Sequence, residues 1–199
     1  SEHGKTGFSE NGDRLYFGTA PIPPKEAKDT LLDTEKVKID IWNWQDSRLQ
    51  PQQKVELKRD QKKSFRAVLH IKDKKMIQLA TMQMQRVDSL MKGNSNIAMG
   101  IDDLSYRKLR SWEWPSYRDV YAVDVRSGKS KKVLEGVQYA NRISPGGKYA
   151  YWYDPILTDW FVSDLQSEEK RNLTKGLSVD FHNILHNTPM EAYSYPIVG

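Results

Sequence analysis

Along this chain apolar positions alternate with polar ones in short runs, and breaks rich in Gly, Asn and Lys separate the runs. Asp119-Val120-Tyr121-Ala122-Val123-Asp124 sets aromatic or β-branched residues against small or polar ones with a period of two. That is the pattern of a half-buried strand. The same pattern returns forty positions later in Asp159-Trp160-Phe161-Val162-Ser163-Asp164. It also occurs seventy-nine positions earlier, in Asp40-Ile41-Trp42-Asn43-Trp44-Gln45. A second element pairs Phe8-Ser9-Glu10-Asn11-Gly12-Asp13-Arg14-Leu15-Tyr16-Phe17 with Ile143-Ser144-Pro145-Gly146-Gly147-Lys148-Tyr149-Ala150-Tyr151-Trp152. In each, a Gly-containing pair supplies a tight turn and an alternating strand follows.

Further strands are expected at Asn96–Asp102 and from Lys132, after a turn at Arg126–Lys129. Residues 64–80 read as a hairpin turning at Lys72–Lys75, Gln50–Gln53 as a polar turn, and Tyr106–Tyr117 as a loop. Pro21–Pro24 followed by Lys25–Lys36 predicts a charged excursion with at most one helical turn.

Self-similarity at a period near forty residues marks a propeller or solenoid. A period that reads turn, strand, strand, turn, strand, with room for a fourth strand, fits a four-stranded antiparallel blade. The expected fold class is all-β, a partial β-propeller. At about forty to sixty residues per blade, the 199 residues hold roughly three to four units. The expected division is a first blade over 1–63 with a charged insertion at 20–36, and a second over 64–136 with a long aromatic loop. A third blade follows over 137–176, and a further blade begins at 177–199. The chain starts in a blade's turn at Ser9–Gly12 and ends in Tyr193-Ser194-Tyr195-Pro196. A segment of a longer protein is therefore expected, with Ser1 a non-native residue.

Composition narrows the chemistry. There is no cysteine, which excludes disulfides, Cys-based zinc sites and a Cys nucleophile. No apolar run approaches the eighteen or so residues of a membrane span, so none is expected. The net charge of +5 comes from clusters at Lys58–Lys63, Lys72–Lys75 and Lys129–Lys132. Each is expected at a solvated turn between strands, with no basic stripe for nucleic acid. No serine stands in a Gly-x-Ser-x-Gly elbow. Gly128-Lys129-Ser130 ends like a phosphate-binding loop, but Val123 stands where that motif needs glycine. His182 and His186 are spaced i, i+4, yet no zincin glutamate lies between them and Pro189 follows. They read as a loop pair, and Asp102-Asp103 as a turn after a strand. No catalytic residue, cofactor or metal is expected.

Trp42, Trp44, Trp152 and Trp160 fall in the repeat strands and are assigned to packing between blades. Arg110, Trp112, Trp114, Tyr117 and Arg118 lie outside the periodicity. An aromatic, arginine-bearing loop of this kind is the candidate for ligand or domain contact.

Ile143–Trp152, Asp159–Lys170 and Arg171-Asn172-Leu173-Thr174 together resemble a propeller blade of the prolyl oligopeptidase (S9) family of serine peptidases. Phe8–Phe17, Asp40–Asp46 and Asp119–Lys129 repeat parts of that pattern, whereas 20–36 and 80–118 match it poorly. Gly146 replaces the family's usual Asp, and TolB-like and other WD40-like propellers share the pattern. The resemblance implies a non-catalytic propeller that limits access of peptide substrates to a C-terminal α/β-hydrolase domain of the same polypeptide. It implies no triad residue at any position here, and a periplasmic or secreted bacterial location. The alternative is a WD40-like or TolB-like scaffold that binds a protein or glycan. An open set of blades exposes strand edges, so self-association is also expected.

Overall fold

The computed structural model describes residues 3–22, 30, 32, 34–37, 39–114, 116–187 and 190–194. Twelve strands among them form three four-stranded antiparallel sheets, each laid down in chain order. The first holds β1 (Gly7–Phe8), β2 (Arg14–Thr19), β3 (Phe65–His70) and β4 (Lys75–Gln78). The second holds β5 (Arg86–Ser89), β6 (Ile97–Asp102), β7 (Arg118–Asp124) and β8 (Ser130–Val137). The third holds β9 (Tyr139–Ile143), β10 (Tyr149–Asp154), β11 (Asp159–Asp164) and β12 (Lys170–Asn172). One α-helix, α1 (Gln50–Gln61), lies in the connection from β2 to β3.

Three expectations are corrected. The hairpin at 64–80 forms as β3 and β4, but it pairs with β2 and completes the first sheet. The first boundary therefore moves from residue 63 to the stretch between Gln78 and Arg86. Asp40–Gln45 is not a strand: it has alternation but no strand pairs with it among the described residues, and Trp42 and Trp44 are exposed. Gln50–Gln53 opens a helix rather than a turn, with Pro51 at its first turn, where a missing N–H costs nothing. Most of the charged excursion at 20–36, together with Ser1, Pro115, Pro189 and Tyr195–Pro196, lies outside the described residues. Among the described residues of 177–199 the strand pairing is one bridge, His182 to Ser194.

The sequence repeats mark equivalent places in the sheets. Register sets Arg14, Ile97 and Tyr149 opposite His70, Asp124 and Asp164 respectively. In the hairpin before β2, Ser9 N–H donates to the Arg14 carbonyl at 2.8 Å, and Gly12 N–H donates to Ser9 O at 2.9 Å. Before β10 the same two bonds join Ser144 to Tyr149 at 2.7 Å and Gly147 to Ser144 at 2.8 Å. Gly12 and Gly147 hold φ of 73° and 70°, so a β-carbon there would be strained.

The aspartates that bracket β7 and β11 have separate tasks. Asp124 Oδ1 accepts N–H bonds from Arg126 and Ser127 at 2.8 and 2.7 Å, and Asp164 Oδ1 does the same for Gln166 and Ser167. These Asx turns aim the chain into the next strand. At the other end, Asp119 Oδ1 accepts the Gly136 N–H at 2.9 Å, and Asp159 Oδ2 accepts from Asn172 at 2.7 Å. Each ties its strand to the following one.

Neighbouring sheets meet through equivalent contacts. The turn after β7 brings Gly128 against Ile77 and the Gln78 carbonyl of β4. The turn after β11 brings Glu168 to Lys131 of β8, with an ion pair of 2.5 Å. Likewise Gly93, in the hairpin before β6, lies against Ser9 and Tyr16, while Gly147 lies against Ser95 and Ile97. The step from the first sheet to the second is thus repeated from the second to the third.

The middle sheet is covered on both faces, which explains its apolar run at Ile97–Ile101. Ala98 and Val123 pack with Tyr16, Val68 and Ile77 of the first sheet. Their strand neighbours Met99 and Ala122 point the other way, toward Ile143, Ala150 and Trp152 of the third. Trp152 packs against the cluster between the second and third sheets, as expected, whereas Trp160 is buried against Tyr153 of its own sheet, with ring centroids 5.5 Å apart.

The turn between β10 and β11 repeats the Asx device through Asp154, but it places Thr158 at φ 55°. A β-branched residue is strained there, and Thr158 is exposed and makes no side-chain bond to the described residues that would be lost. Thr158→Asn is expected to raise stability by about 0.5–1 kcal/mol, read as a rise in melting temperature of roughly 2 °C. A fall would show that the turn does not need a left-handed residue.

Candidate cationic cleft

The β2–β3 and β6–β7 connections occupy equivalent places in adjacent sheets, and they meet. Between α1 and the second sheet lies a cleft of about 830 Å³, lined by eight Lys and Arg side chains and three carboxylates.

Helix α1 has no buried residue, so it is not held by an apolar face. Arg48, just before it, donates to Glu56 and Asp60 and ties the helix to its own entry. Its guanidinium holds the carboxyls of Glu56 and Asp60 below the ordinary range. The helix ends by delivering Lys63 into the cleft.

From the other wall come the 3-10 turns at Leu104–Tyr106 and Leu109–Ser111. Asp103 pairs with Arg107 at 2.9 Å and also with Arg110. Tyr106 anchors this loop to the sheet, its hydroxyl donating to Asp119 at 2.7 Å. Burial, then that bond, pushes the phenol up to about 12.

The charges of the cleft are unevenly matched. Gln85 Oε1 accepts from both Lys63 and Arg107, so one neutral oxygen stands between two cations. Gln85 is oriented by its own amide N–H, which donates to Met82 O at 2.9 Å. Arg118 is half-buried and has neither a hydrogen bond nor an ion pair to its guanidinium among the described residues. Burial, then repulsion from Arg86, lowers its affinity for a proton; burial and Arg107 do the same to Lys63.

Of the five residues singled out in the sequence, Arg110 and Arg118 line this cleft. Trp112 instead lines a neighbouring groove of about 420 Å³, with Trp42, Trp44 and the shared wall residue Arg48. Lys108 Nζ sits 5.6 Å from the Trp44 ring centre. Trp114 is exposed, and Tyr117 packs its ring 6.0 Å from that of Tyr106.

Sequence reasoning missed Lys63, Gln85, Arg107 and the Trp42/Trp44 pair as members of this region. The run of Gln, Lys, Glu and Arg after Pro51 was a helix signal of propensity rather than of periodicity. The expectation that Lys58–Lys63 is a solvated turn between strands is corrected accordingly: most of it is helical, and its last residue enters the cleft.

No group of three His, Asp or Glu suited to a metal occurs among the described residues. His186 Nε2 lies 3.0 Å from Met190 O, and His182 lies in the bridge to Ser194. No described helix is long and apolar enough to cross a membrane. No protein-family model matches the chain, and no curated protein matches it significantly.

Proposed function

We propose that the three sheets are consecutive blades of a β-propeller. In this reading the propeller is the non-catalytic, access-limiting part of a prolyl oligopeptidase-like serine peptidase whose hydrolase domain lies outside this chain. The observation that carries the blade reading is the repeated step between sheets: Gly128 on β4 and Glu168 on Lys131 occupy matching positions. A constant step between four-stranded meanders is what a radial or linear array of repeats requires. The peptidase part rests on the resemblance of the repeat, and it brings with it a periplasmic or secreted location. Peptide substrates, contact with the hydrolase domain and self-association through open edges belong to the same reading.

A second reading has its own support. The exposed groove of Trp42, Trp44 and Trp112 suits a scaffold that binds a protein or glycan, because amphipathic rings are enriched where partners dock.

The test is hydrolysis of proline- and alanine-containing chromogenic dipeptides by the product of the full reading frame, beside the 199-residue chain. Cleavage by the full product that a serine-directed inhibitor abolishes, with none by the chain, is the expected result. An inactive full product overturns the peptidase reading in favour of the scaffold. An active chain overturns the assignment of a non-catalytic role.

A further inference from the structure

We infer that the cleft between α1 and the second sheet binds a carboxylate of an acidic peptide, held by Lys63, Arg107 and Arg118 with the peptide's apolar neighbour on the Trp42–Trp112 groove. The inference does not depend on the peptidase reading.

Three observations carry it. First, the cations of the wall are not all neutralised. Arg48 is matched by Glu56 and Asp60, Arg110 by Asp103, and Arg86 by Asp88 at 2.8 Å. Arg118 has no such partner among the described residues, Lys63 has only the amide oxygen of Gln85, and Arg107, which also reaches that oxygen, shares the one carboxylate of Asp103 with Arg110. Half-buried cations without an anion are costly, and a ligand oxyanion removes that cost. Second, the proton affinities of Lys63 and Arg118 are lowered by burial and by neighbouring cations, the condition that an incoming anion reverses. Third, the cleft continues across Arg48 into the tryptophan groove.

The charge pattern selects the ligand. Unmatched positive charge is confined to a few groups, while Glu56, Asp60 and Asp103 stand in the same wall. Those carboxylates repel a polyphosphate backbone, and nucleic-acid binding needs a longer basic track. One or two carboxylates beside an apolar side chain match both the charge and the adjoining groove. A free inorganic anion shares the oxyanion chemistry but leaves the indoles uncovered.

The experiment titrates the 199-residue chain by calorimetry with a capped hexapeptide of alternating glutamate and phenylalanine. Its glutamine twin, inorganic phosphate and a short thymidine oligonucleotide are titrated in parallel. The glutamate peptide is expected to bind, about tenfold more tightly than its twin, with affinity falling as salt rises. Arg118→Gln and Lys63→Gln are each expected to weaken it by about tenfold without lowering the melting temperature.

Gln85→Glu places a carboxylate between the two cations within the protein itself. It is expected to raise the melting temperature and suppress peptide binding, an outcome that no misfolded variant imitates. Equal binding of the two peptides, or undiminished binding by both cleft variants, overturns the inference. Binding of phosphate without the peptide reassigns the cleft to a free anion, and tighter binding of the oligonucleotide reassigns it to nucleic acid.

Discussion

Replacing Arg14 by alanine is expected to cost about 3 kcal/mol of folding stability, or roughly 6–12 °C in melting temperature. The side chain is buried, and among the described residues no carboxylate pairs with it. Its guanidinium donates to Gly93 O and Asn94 O at 3.2 Å each, to Ser95 O at 2.5 Å, and to the Asn96 side chain. One residue of the first sheet thus satisfies three carbonyls of the β5–β6 hairpin in the second. Tyr16 adds its hydroxyl to the Gly93 carbonyl at 2.9 Å. Truncation leaves the Gly93 carbonyl to Tyr16 alone and takes the Arg14 donor from Asn94 O, Ser95 O and the Asn96 side chain, and buried acceptors left unpaired are expensive. Arg14→Lys keeps the charge but loses the planar fork, so it should recover only a minor part. Urea unfolding of both variants measures this, beside Lys72→Ala, whose exposed ion pair to Asp13 should be worth under about 1 kcal/mol. If Arg14→Ala proves as mild as Lys72→Ala, the two sheets are not joined through this residue.

The strands were legible where local pattern and turn chemistry agree. β7, β10 and β11 combine a two-residue period with an Asp- or Gly-centred turn, and both signals are short-range. Asp40–Gln45 carried the alternation alone. Without a neighbour to pair with, alternation does not make a strand, and its tryptophans went to a groove instead of a core. Helix α1 carried no period at all, because ion pairs to Arg48 rather than an apolar face hold it. The first sheet was misdivided because residues 20–64 separate β2 from its partner β3, and register across such an insertion is not written locally. The candidate cleft was half legible. Arg110 and Arg118 stood out by composition, but Lys63 joins them only because the two connections emerge at matching places in adjacent sheets.

Asp119 links the repeat to the cleft, and its replacement by alanine should cost about 2–3 kcal/mol. Its Oδ1 accepts from the Tyr106 hydroxyl and the Gly136 N–H, and its Oδ2 pairs with Lys132 at 2.7 Å. Burial alone would raise this carboxyl's pKa, but the bonds from Lys132, Gly136 and Tyr106 outweigh it and set the pKa below the ordinary value. A carboxyl depressed in the folded state stabilises above its unfolded pKa, near 4, and that contribution is lost as pH falls through the folded value. Tyr106 has the opposite sign. Its pKa is raised from 10.0 to about 12, so its contribution is complete below pH 10 and lost as pH climbs toward 12. Asp119→Asn should therefore flatten the acid limb of stability against pH, and Tyr106→Phe the alkaline limb. Other depressed carboxyls, Asp124 and Asp164 among them, contribute to the parent's acid limb, so the difference between variant and parent is the quantity to measure. Because Tyr106 pins the loop that carries Arg107 and Arg110, Tyr106→Phe should also speed amide exchange over residues 103–114 while leaving the third sheet unchanged. Uniform exchange across all three sheets would mean that the bond stabilises the fold without positioning the cleft.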